Sequence, residues 1–128
     1  MSYTIQETVD GEFDAVVDRV TDALGEEGFG ILSDIDMQAT LKAKLDREFR
    51  NYTILGACNP PLASDALDVD IDVGALLPCN VVVYEADDGS VVVSAVDPKT
   101  LLDVADDPDL EPIGEEVRER LERALSTL

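Results

Sequence analysis

The sequence predicts an α+β fold, a single largely antiparallel sheet of about five strands packed with helices. Three observations carry that prediction. Strand-like runs alternate along the chain with segments whose apolar residues recur at helical spacing. The clearest pair of strands, Cys79 to Glu85 and Val91 to Val96, is joined by Asp87-Asp88-Gly89, a hairpin signal and not a crossover. A chain of 128 residues with 45% apolar content can also build a single domain, residues 1–128, and has no room for a second full-sized core.

Taken in order, residues 3–8 (YTIQET) form a short strand and Asp10 is placed to cap the helix that follows. From Glu12 to Leu24 the residues Phe13, Val16, Val17, Val20 and Leu24 make one apolar stripe, and Gly25 and Gly28 punctuate its end. Phe29 to Ile35 reads as a strand, after which Asp36 caps a helix carrying Met37, Leu41 and Leu45. Asn51 to Cys58 is the next strand. Pro60 and Pro61 stop it and suit the first turn of a short helix capped by Asn59. The acidic stretch Asp68 to Asp72 reads as a solvated strand or loop edge. After the hairpin, Asp97-Pro98 opens a helical turn in the same capping style, and Ile113, Val117, Leu121 and Leu125 mark a final helix. Val81 and Val83 fall on one side of their strand and Val82 and Tyr84 on the other. Both faces of the sheet are therefore expected to be covered, by helices or by a second copy of the chain.

Composition removes several classes of function. With 29 Asp plus Glu against 9 Lys plus Arg, the chain carries a formal charge of −20, which disfavours nucleic acid and anionic membranes as partners. It has no histidine, so Ser-His-Asp and Cys-His catalysis, His-held haem and ordinary zinc sites fall away. The longest uncharged stretch, Val73 to Tyr84, is too short to cross a bilayer and is broken by Gly74 and Pro78. The opening residues lack the basic start and apolar run of a secretory signal. A cytoplasmic protein with two reduced cysteines is expected. Lysine is scarce (Lys42, Lys44 and Lys99), and the uncompensated acids read as adaptation to molar salt.

Two stretches resemble each other: Gly56-Ala57-Cys58-Asn59-Pro60 and Leu77-Pro78-Cys79-Asn80. Each sets a thiol beside an amide and a proline at a strand end. If the two strands are antiparallel neighbours, both thiols reach the same end of the sheet; if they are parallel, the thiols lie at opposite ends. Cys58 also stands just before a helix N-terminus, which favours a thiolate, although two prolines there remove donors. Against this stands the simpler reading of two small buried apolar residues. Two thiols without histidine cannot close a structural zinc site. The alternation Asp68-Val69-Asp70-Ile71-Asp72 fails as a calcium loop, because Val73 stands where the turn glycine belongs.

At these same residues the chain resembles the domain of unknown function 302 family. The resemblance rests on Ile54 to Ala63 (ILGACNPPLA) and Leu76 to Glu85 (LLPCNVVVYE), followed by Asp88-Gly89 and Asp97-Pro98. Phe29-Gly30-Ile31-Leu32 and Asp34-Ile35-Asp36 extend it towards the N-terminus. It implies a compact domain of the TATA-binding-protein-like superfold, often homodimeric, and a family site at Gly56, Cys58, Asn59, Pro60, Pro78, Cys79 and Asn80. It implies no established activity and leaves any cofactor unknown, and sharing a superfold with a DNA binder gives no licence for DNA binding. Ser64-Asp65 departs from the family's bulkier aromatic or basic residue, which makes an anionic ligand less secure here.

Three functions follow as expectations, in order. The first is a small-molecule-binding or sensing module whose polar handles are the Cys-Asn pairs. The second is a dimeric structural or interaction protein in which the cysteines only pack. The third is a thiol-dependent enzyme, which without histidine needs a helix N-terminus, lysine or arginine to activate its sulfur. The acidity itself makes a physical prediction. At about 1 M ionic strength the Debye length is roughly 3 Å, and self-repulsion is screened. The melting temperature followed by circular dichroism should therefore fall sharply on dialysis from molar salt into dilute buffer; an unchanged melt would refute adaptation to salt.

Overall fold

The structure is a computed structural model that describes residues 2–128. Five strands, β1 (Thr4–Val9), β2 (Gly30–Asp36), β3 (Tyr52–Cys58), β4 (Cys79–Glu85) and β5 (Val91–Val96), form one sheet in the order β1-β5-β4-β3-β2. Every neighbouring pair is antiparallel. The helices are α1 (Phe13–Glu26), α2 (Met37–Leu45), α3 (Pro60–Val69), α4 (Pro98–Asp103) and α5 (Glu111–Ser126), with 3₁₀ turns at Ile71–Leu76 and Pro108–Leu110. The α+β architecture is the one the sequence predicts.

Local chemistry explains most boundaries. Asp36 accepts from the Ala39 N–H at 2.9 Å to start α2, and Asp97 accepts from Lys99 and Thr100 to start α4. Gly89, at φ +87°, turns the β4–β5 hairpin, while Asp88 takes the Ser90 N–H and hydroxyl. Two boundaries differ from the sequence reading. Glu12, not Asp10, caps α1, its two carboxylate oxygens accepting from Asp14 and Ala15 at 3.1 Å. The longer side chain of the residue adjoining the helix reaches forward to the first-turn N–H groups, a place Asp10 lies too far upstream to fill. The acidic stretch Asp68 to Asp72 is also no strand or open loop edge. Its first residues end α3, and Asp70 caps the 3₁₀ turn by accepting from Asp72.

The sheet has two unlike faces. Leu55, Ala57, Val81, Val83, Val93 and Ala95 point to one side and are at most 1% exposed, packed under Val16, Val20 and Leu24 of α1 and Leu121 and Leu125 of α5. The other side is formed by Thr4, Gln6 and Thr8 of β1, Val92, Ser94 and Val96 of β5, and Asn80, Val82 and Tyr84 of β4. Tyr52, Ile54 and Gly56 of β3 and Ser33 and Ile35 of β2 complete it. Val82, Tyr84 and Val92 remain half-exposed there. Of the two coverings expected for the second face, helices or a second copy of the chain, helices do not supply it: α1 and α5 gather on one face, where their apolar stripes pack on the sheet. Tyr52 and Tyr84 stack across β3 and β4 on the open face, with ring centroids 5.6 Å apart, and Phe49 leans on Tyr52.

Among the described residues, no helix is long and apolar enough to cross a membrane. Leu121, fully buried at the α1–α5 contact, tests where stability resides. Leu121→Ala should cost about 2–5 kcal/mol in a denaturant titration at molar salt, through lost burial and the cavity left behind.

Candidate functional site

The β3–β4 register sets Ala57 opposite Cys79 and Gly56 opposite Asn80. The two Cys-Asn blocks thus meet at one end of the sheet, as the antiparallel alternative requires. Strand alternation then divides them. Cys79 points into the helix-covered core, whereas Gly56 and Asn80 belong to the open face.

On the core side, Cys58 and Cys79 line an apolar cavity at the end of the sheet, walled by Phe29, Leu62, Ala66, Leu102, Ile113 and Val117. Its unfilled volume is about 30 Å³, room for a water-sized occupant but not for a metabolite. Burial pushes the Cys79 thiol up to about 11, and the neighbouring Cys58 adds to the shift. Cys79 is therefore protonated at neutral pH, the opposite of an activated nucleophile. Cys58 is half-buried.

Asn59 is committed to the fold. Its side-chain oxygen accepts from the Leu62 N–H at 3.4 Å, capping α3 above Pro60 and Pro61. Its amide donates to the Glu27 carbonyl at 3.3 Å, and Arg120 donates to the same oxygen at 3.1 Å. The end of α1, the start of α3 and the middle of α5 are thereby tied at one carbonyl. Gly28, at φ +86°, makes the turn that exposes that carbonyl; a Cβ there would lie 3.1 Å from the Asn59 amide.

The open-face half of the site has different chemistry. A Cβ on Gly56 would strike the Ser33 hydroxyl and lie 2.8 Å from Pro78 Cγ, so the glycine lets β2 and the Pro78 ring close over β3. Pro78 and Asn80, with Leu76, Leu77, Val96 and Leu101, frame a recess of about 200 Å³. Asn80 and Val96 also border a broader groove of about 440 Å³ that runs over Val82 to the Tyr52–Tyr84 pair, with Gln6 and Ser94 along it. Asn80 is exposed, in contrast to buried Asn59. Leu77 and Leu101 border both the thiol cavity and the recess.

Of the seven residues singled out in the sequence, Cys58, Asn59 and Cys79 line the cavity, and Pro78 and Asn80 line the recess. Gly56 packs beneath Pro78, and Pro60 is an exposed first-turn residue of α3 lining neither space. Leu101, Val96 and Gln6 were not legible as site residues, because each belongs to a segment paired or packed only in three dimensions. Ser64 and Asp65 are exposed on α3 and line neither space. No group of three or more Cys, Asp or Glu side chains that could hold a metal ion occurs among the described residues.

The fold is shared with known proteins. The family described as "Domain of unknown function DUF302" matches residues 5–128. The crystal structure of an uncharacterized conserved protein DUF302 from Bacillus stearothermophilus superposes with a TM-score of 0.91 at 28% identity, covering 98% of each chain. No curated protein matches the chain.

The buried thiol predicts a pH dependence. Between its ordinary value of 9.0 and about 11, the unfolded chain loses the Cys79 proton while the folded chain keeps it. Stability should thus be fully present below about pH 9 and fall by roughly 2–3 kcal/mol as pH rises towards 11. Urea midpoints taken across that range should show this share of the slope, and Cys79→Ala should remove it.

Proposed function

This chain belongs to the DUF302 family, whose description assigns no activity, and from that premise we propose that it is a binding module for an uncharged small molecule. The ligand sits at the Cys-Asn end of the sheet, in the recess beside Pro78 and Asn80. The observation that carries this reading is the position of Asn80, an exposed amide where a recess of about 200 Å³ meets a groove of about 440 Å³. Ligand sites are concave clefts of several hundred Å³, and these two spaces together reach that size, lined by polar and apolar surface in nearly equal share. The amide supplies an NH₂ group with two N–H donors and a carbonyl acceptor for a polar head. Val82, Val96, Leu77 and Leu101 offer surface for an apolar body.

In this reading Cys58 and Cys79 contribute shape: the cavity they line backs onto Leu77 and Leu101, the wall of the recess. Asn59 and Pro60 hold α3 against that wall through the helix cap. A thiol-dependent reaction is poorly supported, since Cys79 is buried and protonated and no histidine exists to take its proton. The net charge of −20 also selects against an anionic ligand.

Native mass spectrometry of the protein purified from its source tests the reading. The expected result is a small-molecule adduct that dissociates on denaturation and is lost in Asn80→Ala. Because Asn80 is exposed, that variant should keep its stability within about 0.5 kcal/mol of the parent. A bare chain mass, or an adduct retained unchanged by Asn80→Ala, overturns it.

A further inference from the structure

We infer that the ligand of the open-face groove is a nucleobase, free or carried as a nucleoside, with its ring stacked on Tyr84 and its edge held by Gln6 and Ser94. The inference rests on the binding reading above and names the ligand class of that same site. It starts from where the rings are. The chain holds three tyrosines and no tryptophan, and Tyr3, Tyr52 and Tyr84 all line the groove of about 440 Å³ that Asn80 borders. No residue lining that groove is charged, although charged residues make up 30% of the chain.

Strand register places these groups. The groove lies over β1, β5 and β4, and Tyr52 stands behind Tyr84 on β3, its ring 15° from parallel. That contact takes the β3 side of Tyr84 and leaves the β5 side of the ring to the groove, beside half-exposed Val92. Tyr3 borders the groove from the far edge, ahead of β1, 72% exposed and with its carbonyl held by the Asp97 N–H at 2.8 Å. Between them lies a floor of Val82 and Ser94, which are cross-strand partners, with Gln6 opposite Ser94 on β1. A flat ring standing on this floor parallel to Tyr84 meets an aromatic face in offset stacking.

The polar groups select a heterocycle over a hydrocarbon ring. Gln6 donates one amide N–H to the Ser94 hydroxyl at 3.2 Å, which leaves its carbonyl oxygen and second N–H to a ligand. A side-chain amide sets a donor beside an acceptor, the pattern that matches the donor-acceptor edge of a nucleobase. Asn80 stands two residues from Val82 on the same face, about 7 Å along the strand, where the hydroxyls of an attached sugar would lie. Charge removes the phosphorylated forms. The groove has no cation and the chain carries −20, so a nucleotide or a nucleic-acid strand is repelled where an uncharged nucleoside is not.

Fluorescence titration with 2-aminopurine riboside in molar salt tests the inference, because stacking quenches this purine and it is excited outside the tyrosine band. The expected result is saturable quenching that adenosine reverses, with adenosine monophosphate about tenfold weaker as a competitor and glucose inert. Tyr84→Ala should weaken binding about tenfold and Tyr84→Phe should retain it, since the ring and not the hydroxyl makes the stack. Should Tyr84→Ala fail to fold, Gln6→Ala, at an exposed position, gives a second reading and should weaken binding about fivefold. Absence of quenching, displacement by glucose, or an affinity unmoved by a folded Tyr84→Ala or by Gln6→Ala overturns the inference. An Asn80-dependent adduct in the native mass without nucleobase absorbance also overturns it but leaves the binding reading standing; a bare native mass together with no quenching overturns both.

Discussion

The rest of the structure depends on the antiparallel pairing of β3 with β4 in the register that sets Ala57 against Cys79. This pairing joins segments separated by α3 and a 3₁₀ turn, and it brings both Cys-Asn blocks to one rim of the sheet. Side chains alternate across a strand, so the same pairing sends Cys79 inward and Asn80 outward. A slip of one residue would exchange them, placing an amide in the apolar core and a thiol at the surface. Gly56 guards the register from the open side. Only a residue without Cβ lets Ser33 and Pro78 close over that point of β3.

The distribution of charge follows from the same geometry. Most acids occupy helix surfaces, turns and caps, where water and salt solvate them, and those on strands (Glu7, Asp34, Asp36 and Glu85) share register with the helix-covered side. Asp36, Asp70, Asp88, Asp97 and Asp107 each accept a hydrogen bond from a nearby N–H and so serve the fold locally. The ion pairs are mostly exposed and contribute little individually. Arg120 differs, because it spans Glu116 and the Glu27 carbonyl at the junction where Asn59 docks. The strand positions on the sheet face opposite the helices are left uncharged.

The cysteines illustrate how environment overrides residue type. Cys58 lies before a helix N-terminus, a setting that can activate sulfur. Here Pro60 and Pro61 occupy the first positions of that helix, and Asn59 takes the Leu62 N–H. Cys79, sunk among aliphatic side chains, is held in its neutral form by desolvation. The site is accordingly suited to packing and recognition, with its polar reach supplied by the outward amide of Asn80.

Much of this was legible residue by residue. Asp36, Asn59 and Asp97 mark helix starts, Asp88-Gly89 marks the hairpin, and the stripe from Val16 to Leu24 marks a core-facing helix, because caps, turns and periodicity act within a few residues of themselves. Glu12 was missed as a cap because short acceptors dominate that role and Asp10 stood nearby. The apolar character of Val82 and Tyr84 was visible too, but not that the helices would leave them open. Nor could two look-alike Cys-Asn blocks reveal that one amide would be buried as a cap and the other left at the surface. Those outcomes turn on which strands pair, in what register, and on which side the helices settle. They are fixed by contacts between distant segments, and local composition carries no record of them.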